Sequence, residues 1–186
     1  MPPRMVDTRS LSQLPVRNLR RYPMKEFLSL RVGGEADMVF FPENVDELRA
    51  VVATARKSGV PLYTLGGGTN LLVRDGGVRG AMVSLYRGFN YIATESGAGD
   101  QVLLRAGAGV GLARACLYAL SHGLEGLEGL TGIPGSLGGC LTMNAGTNRT
   151  SIGERVNTVA MLTEGGELIS FHRREIDFGY RSARYP

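Results

Sequence analysis

Pro61-Leu62-Tyr63-Thr64-Leu65-Gly66-Gly67-Gly68-Thr69-Asn70-Leu71-Leu72-Val73 is the stretch that decides how this chain folds. Pro61–Leu65 has the length and residue types of a short strand. It runs without a break into three successive glycines. Consecutive amides with no Cβ in front of them can form an anion-binding concavity. Thr69 and Asn70 add side-chain donors. A P-loop would end in Gly-Lys-Ser/Thr, and no such lysine follows these glycines. The turn therefore suits a bridging pyrophosphate better than a terminal phosphate. A plain flexible turn is the alternative reading.

Working outward, Asp37–Phe41 (DMVFF) reads as a short apolar strand ended by Pro42. A helix is expected from about Val45 to Lys57, because Val45, Leu48, Val51, Val52 and Ala55 fall on one face. Gly59 and Pro61 stop it. Downstream, Ala81–Leu85, Tyr91–Thr94 and Gln101–Ala106 read as strands. A second helix is expected from about Gly111 to His122, with Leu112, Ala115, Cys116, Ala119 and Leu120 as its buried stripe and Gly123 as its cap. Val156–Thr163 and Glu167–Phe171 read as a hairpin across Glu164-Gly165-Gly166. Residues 1–26 show no periodicity, and residues 1–23 are expected to be an irregular basic arm. Strands alternating with only two clear helices predict an α+β fold of two lobes, 24–86 and 87–186. The chain has no internal repeat.

Glycine is the compositional outlier, at 27 of 186 residues, roughly twice the usual share of about 7%. The excess sits in clusters. Gly107-Ala108-Gly109-Val110-Gly111 lies between a strand and a helix, the setting of a dinucleotide fingerprint. Leu112 and Arg114 stand where that fingerprint needs a small residue, so a tight strand-to-helix turn is the better account. Gly132-Ile133-Pro134-Gly135-Ser136-Leu137-Gly138-Gly139 leads to Met143-Asn144-Ala145-Gly146. Its small residues would let the backbone approach a flat ligand, and Asn144 could offer amide bonds to a heterocycle. A turn-rich connection packed on its own lobe is the alternative. Asp75-Gly76-Gly77 and Glu164-Gly165-Gly166 read as simple turns.

The remaining composition mostly excludes. Net charge is +4, with much of the excess in Arg4, Arg9, Arg17, Arg20, Arg21, Lys25 and Arg31. Such an arm could touch nucleic acid or acidic lipid, but it reads first as a solvated tail, and no nucleic-acid partner is expected. Two cysteines without close spacing and two histidines argue against a protein-built metal site. The thiols are expected to be reduced, as in a cytosol. No run approaches a membrane span, and no signal-peptide pattern opens the chain. Gly135-Ser136-Leu137-Gly138 has the wrong spacing for a nucleophile elbow.

The order of these motifs resembles one family. Arg31-Val32-Gly33-Gly34-x-Ala36-Asp37, the Leu65–Val73 stretch, Gly129-Leu130-x-Gly132-Ile133-Pro134-Gly135-Ser136-x-Gly138-Gly139, Met143–Gly146 and Phe178-Gly179-Tyr180-Arg181-Ser182 are similar to UDP-N-acetylenolpyruvoylglucosamine reductases. These are flavoenzymes, also called UDP-N-acetylmuramate dehydrogenases, of bacterial cell-wall synthesis. The resemblance covers about residues 24–186. It implies a two-lobed FAD-binding module of the vanillyl-alcohol-oxidase type holding FAD non-covalently. Gly66, Gly67, Gly68, Thr69, Asn70 and Leu71 match the pyrophosphate loop. Ile133, Pro134, Gly135, Ser136, Gly138, Gly139, Asn144, Ala145 and Gly146 match the segments lining the flavin. NADPH would reduce the flavin, which would pass hydride to the enol ether of the UDP-sugar substrate. Arg181 matches the family's catalytic arginine, a fixed cation suited to a carboxylate where negative charge builds. Tyr180 is a packing or substrate-contact candidate.

Three departures accompany the match. The threonine usual before Arg-Val-Gly-Gly is replaced, leaving Ser29 as the nearest hydroxyl. Thr147-Asn148-Arg149-Thr150 replaces the commoner Ala-Tyr-Gly-Gly. The chain also ends where the family continues into a carboxy-terminal substrate domain carrying the proton-donating serine and a second carboxylate. Ser182 is in the wrong motif to be that serine. The chain is thus expected to be the flavin-binding part of a cytoplasmic enzyme, monomeric when complete, and inactive alone. A flavin subunit of another oxidoreductase, or a non-catalytic nucleotide-binding module, are the alternatives.

Overall fold

The apolar run at Asp37–Phe41 forms strand β2 (Glu35–Phe40), most of whose side chains are buried. A strand that is apolar without alternation belongs in a sheet covered on both faces, and β2 lies in one. In the computed structural model, which describes residues 6–186, β1 (Asn18–Pro23), β2, β3 (Leu62–Leu65) and β4 (Val78–Ser84) form a sheet in the order β1-β2-β4-β3. β1 runs antiparallel to β2, while β2 and β3 each run parallel to β4.

One face is covered by α1 (Val45–Lys57), whose Val51 and Ala55 pack with Met38, Phe40, Ala81 and Val83. The other face carries Ala36, Val39, Phe41 and Met82. Met24 and Leu28 from one irregular segment, and Leu65 and Val73 flanking another, cover it. The glycine turn belongs to that second segment, so the sheet core seats it.

α1 has the bounds expected of it because its end signals are strong. The Asn44 side chain accepts from the Glu47 N–H at 2.9 Å, and the Glu47 carboxylate accepts from the Glu43 N–H at 2.9 Å. The Asn44 side chain is thus the N-cap of the helix, and Glu47 ties down the residue that precedes it. At the other end Gly59 takes φ 64, and the Val60 N–H donates to the Ala55 carbonyl, closing the helix in the left-handed manner glycine permits.

The expectation of an irregular arm over residues 1–23 is corrected. Residues 18–23 are β1, and Leu11 and Val16 are buried in the core beneath α1. The strand was hidden because it is an edge strand with no fully buried residue and two adjacent arginines at its centre, and Arg21 breaks its ladder at φ 49. Residues 1–5 of that arm, Arg4 included, lie outside the described residues.

Two compact units make up the chain: Met1–Gly88 with Leu162–Leu168, and Phe89–Met161 with Ile169–Pro186. The second contains the antiparallel hairpin β5 (Ile92–Ser96) and β6 (Val102–Ala106), then α2 (Leu112–Ser121) and α3 (Leu137–Thr142). β7 (Thr158–Leu162) pairs with β8 (Leu168–His172), and β9 (Asp177–Gly179) with β10 (Ser182–Arg184). Its core is Leu112, Cys116, Leu130, Cys140 and Ile152. Burial raises both thiols, that of Cys140 to about 11, so neither ionises readily at neutral pH. α3 and the β9–β10 hairpin were not expected. Both are short, and α3 contains two glycines.

Candidate functional site

In the first unit, Gly66–Asn70 follow β3 at the carboxyl ends of the parallel strands β3 and β4, the end at which open α/β sheets bind ligands. Gly68 is buried with φ 68, and a Cβ there would lie 2.5 Å from the Phe27 carbonyl oxygen. Its own carbonyl accepts from the Ser29 N–H at 3.1 Å. Further along, the Gly34 N–H donates to the Arg74 carbonyl at 3.0 Å, and a Cβ on Gly33 would sit 2.8 Å from the Val73 carbonyl oxygen. Two motifs distant in sequence thus run side by side, residues 28–34 against 68–75.

That packing explains why Gly68 must be glycine, yet it leaves donors unused. Among the described residues, no backbone carbonyl accepts from the amides of Gly67, Gly68 or Thr69. Gly67, Thr69 and Asn70 are exposed, whereas Leu71 is half-buried against the core of this unit. Ser84 ends β4 level with Leu65. By strand alternation it points to the same face as Met82, the one this loop covers. Ser84 is fully buried and its Oγ has no hydrogen-bond partner. Amides without backbone acceptors, in a loop on the same sheet face as a buried hydroxyl without a partner, fit a polyanionic ligand group at this turn.

The second glycine-rich segment behaves differently. The amides of Leu137 and Gly138 donate to Val110 and Ala108, and the Leu112 N–H donates to Gly135. Gly138 is small because a Cβ would meet that of Ala108 at 3.0 Å. The Ser136 hydroxyl caps α3 by accepting from the Gly139 N–H at 3.4 Å. Gly146 lies against Thr150 and Ser151, and Ile133 and Ala145 pack on the unit core. Among the described residues, the amides of Gly132, Gly135, Ser136 and Gly146 are the donors here with neither a backbone nor a side-chain acceptor. Gly132 and Gly135 flank the exposed Pro134 and take φ 86 and 129.

Asn144 is spent on the protein itself. Its Nδ2 donates to the Gly179 carbonyl at 2.9 Å, and its Oδ1 accepts from the Gly153 N–H at 3.1 Å. It holds φ 41 to do so. The Arg173 Nε donates to the Gly153 carbonyl at 2.6 Å, and its guanidinium lies 4.8 Å from the Phe178 ring centroid. A Cβ on Gly153 would strike that ring. Asn144, Gly153 and Arg173 therefore fix the β9–β10 hairpin, whose turn is Tyr180–Arg181. Sequence reasoning missed Gly153 and Arg173 as supports, since neither sits in a recognisable motif. Tyr180 is 94% exposed, and Arg181 is exposed with φ 51. Left-handed backbone at a non-glycine residue is a strain that clusters at functional sites.

A family model described as FAD binding domain matches residues 36–172. This chain belongs to that FAD-binding domain family. It is 40% identical over 159 residues to the UDP-N-acetylenolpyruvoylglucosamine reductase of Desulfosudis oleivorans, covering 86% of this chain and 51% of the relative. The solved UDP-N-acetylenolpyruvylglucosamine reductase of Thermus caldophilus superposes with TM-score 0.73 at 32% identity, over 92% of this chain and 57% of that one. A VAO-type flavoprotein of Myceliophthora thermophila shares the fold, with TM-score 0.58 at 16% identity over 73% of this chain and 26% of its own. The FAD-binding domain fold is thus the vanillyl-alcohol-oxidase type, built of mixed helix and strand. The chain spans about half the length of the curated relatives it matches.

Proposed function

We propose that this chain is the flavin-binding part of an FAD-dependent UDP-N-acetylenolpyruvoylglucosamine reductase. Bound FAD would carry a hydride from NADPH to the enolpyruvyl group of a UDP-sugar, the step that completes UDP-N-acetylmuramate for peptidoglycan. A cytoplasmic setting and a monomeric complete enzyme belong to the same reading. The observation that carries it is the Gly66–Asn70 turn: in a chain of this family, amides at Gly67–Thr69 remain without backbone acceptors, and no Gly-Lys-Ser/Thr follows the turn to reach a terminal phosphate.

On this reading the Gly66–Asn70 turn holds the pyrophosphate through its amides. The backbone around Ile133–Gly139 and Asn144–Gly146 seats the flavin ring, chiefly through the free amides beside Pro134. Arg181 grips the substrate carboxylate, where its permanent charge offsets the negative charge that develops during hydride transfer. Tyr180 borders the same substrate.

Titration of the flavin-free chain with FAD, followed by fluorescence quenching, is expected to saturate. Gly67→Asp should weaken that binding by more than about tenfold, since it sets a carboxylate against phosphate, while the melting midpoint stays near the parent's. A colourless chain that takes up no FAD overturns the reading. The chain alone is expected to show no steady-state reduction of the enolpyruvyl sugar nucleotide. In a full-length relative, replacing the arginine equivalent to Arg181 with alanine should leave flavin bound. It should slow substrate reduction by orders of magnitude, about 3–4 kcal/mol of barrier.

A further inference from the structure

Among the described residues, three arginines hold left-handed backbone: Arg21 at φ 49, Arg31 at φ 55 and Arg181 at φ 51. Arg21 pairs with Glu35 at 3.0 Å, and Arg181 forms the hairpin turn already described. Arg31 differs. It is exposed, and among the described residues its guanidinium makes neither an ion pair nor a hydrogen bond. Its strain is imposed by neighbours rather than by a partner. The Arg31 N–H donates to the Leu28 carbonyl at 3.0 Å, and Gly33 approaches Val73 too closely to bear any side chain.

The ladder between the two motifs locates it. Ser29 is bonded to Gly68, and Gly34 to Arg74. Arg31 therefore stands level with Asn70 and Leu71, where the glycine turn ends. That turn offers amide donors but no cation of its own, and a pyrophosphate brings two negative charges. A guanidinium, always charged and able to donate twice in one plane, complements such a group better than an ammonium. A residue held in costly backbone with its charge uncommitted is what a preorganised ligand contact requires.

We propose that Arg31 is the cationic arm of the glycine turn and contacts the pyrophosphate of the bound dinucleotide. This rests on the flavin reading above and assigns a further residue to it. Arg74 is exposed on the facing segment in ordinary backbone and supplies the control.

The test is a titration of the chain and its Arg31→Gly and Arg74→Ala variants with FAD, ADP and riboflavin at low and high salt. Arg31→Gly should bind FAD and ADP about tenfold more weakly at low salt, with the gap shrinking as salt rises. Its riboflavin binding should match the parent's. Its flavin-free melting midpoint should be unchanged or raised, because glycine accepts φ 55 without strain. Arg74→Ala should stay within about twofold for all three ligands. Equal FAD binding by the parent and Arg31→Gly overturns the inference and leaves the flavin reading intact. A loss that extends equally to riboflavin also overturns it, by marking Arg31 as a structural residue. Failure of the unsubstituted chain to bind FAD sinks the flavin reading and this inference with it.

Discussion

Two glycine-rich segments, one in each unit, look alike in sequence and are spent differently. At Gly66–Asn70 the glycines admit a neighbouring loop on one side, and the amides of Gly67–Thr69 remain without backbone acceptors. At Gly132–Gly146 most amides are consumed by the turn at Gly107–Gly111 and by α3, leaving the surroundings of Pro134, and Gly146, still able to donate. Glycine content marks close backbone approach, but it does not say whether what approaches is the protein or a ligand. Hydrogen-bond accounting separates the two cases, because an N–H already paired within the protein is not available to a ligand, whereas one without a backbone acceptor is.

The largest effect that could break this contrast is expected from Gly68→Val. Its Cβ would lie 2.5 Å from the Phe27 carbonyl oxygen in backbone at φ 68, so unit one should lose about 3 kcal/mol or more. The melting midpoint should then fall by roughly 6–12 °C. A variant that melts with the parent would mean that Gly68 serves a ligand and not the lobe.

Asn144→Leu sharpens the other half. It removes the bonds to Gly179 and Gly153, a loss of about 1–3 kcal/mol at a half-buried site. Amide exchange across residues 177–184 should speed up while residues 66–70 keep the parent's rates. Unchanged exchange at the hairpin would show that Asn144 does not hold it.

The smallest effect is one of pH. The Glu154 carboxylate, held first by the Thr150 hydroxyl and then by the Ser151 N–H, titrates below the ordinary 4.5. A depressed carboxyl contributes stability that is present above its unfolded value and lost as pH falls through the folded one. The 150–154 turn should therefore loosen only under acid conditions below pH 4.5, seen as faster exchange at Gly153, and Glu154→Gln should abolish that dependence. Exchange at Gly153 that follows pH identically in both proteins would count against the carboxylate.

Most strands, and both longer helices, were legible because their signals are local. α1 is announced by Asn44, Glu47, Gly59 and a one-sided apolar stripe, and its bounds are those the sequence predicts. The rejected dinucleotide fingerprint at Gly107–Gly111 is also explained, since Gly107 abuts the Phe89 carbonyl and the segment packs on Gly135–Gly138. What stayed hidden depends on distant partners. α3 exists because Ser136 caps it and Ala108 and Val110 anchor its start, none of which is visible in Leu-Gly-Gly-Cys-Leu-Thr. The β9–β10 hairpin has no turn signature, since Arg181 supplies the left-handed residue where glycine or asparagine is usual. In the candidate site the glycine clusters could be read, but not the commitment of the Asn144 amide to Gly153 and Gly179, which only the folded chain brings within reach.

β1 gives the amino-terminal positive charge a use unrelated to any ligand. It lies at one edge of its sheet, and an open edge is a template on which another chain can add a strand. Its sequence, Asn-Leu-Arg-Arg-Tyr-Pro, sets two arginines and a proline along that rim, with Arg21 out of register. Charged side chains on an edge disfavour strand addition, and Pro23 has no N–H to donate. Arg20 and Arg21, which resemble part of a loose basic tail in the sequence, thus lie along a strand rim that they make a poor template for further pairing.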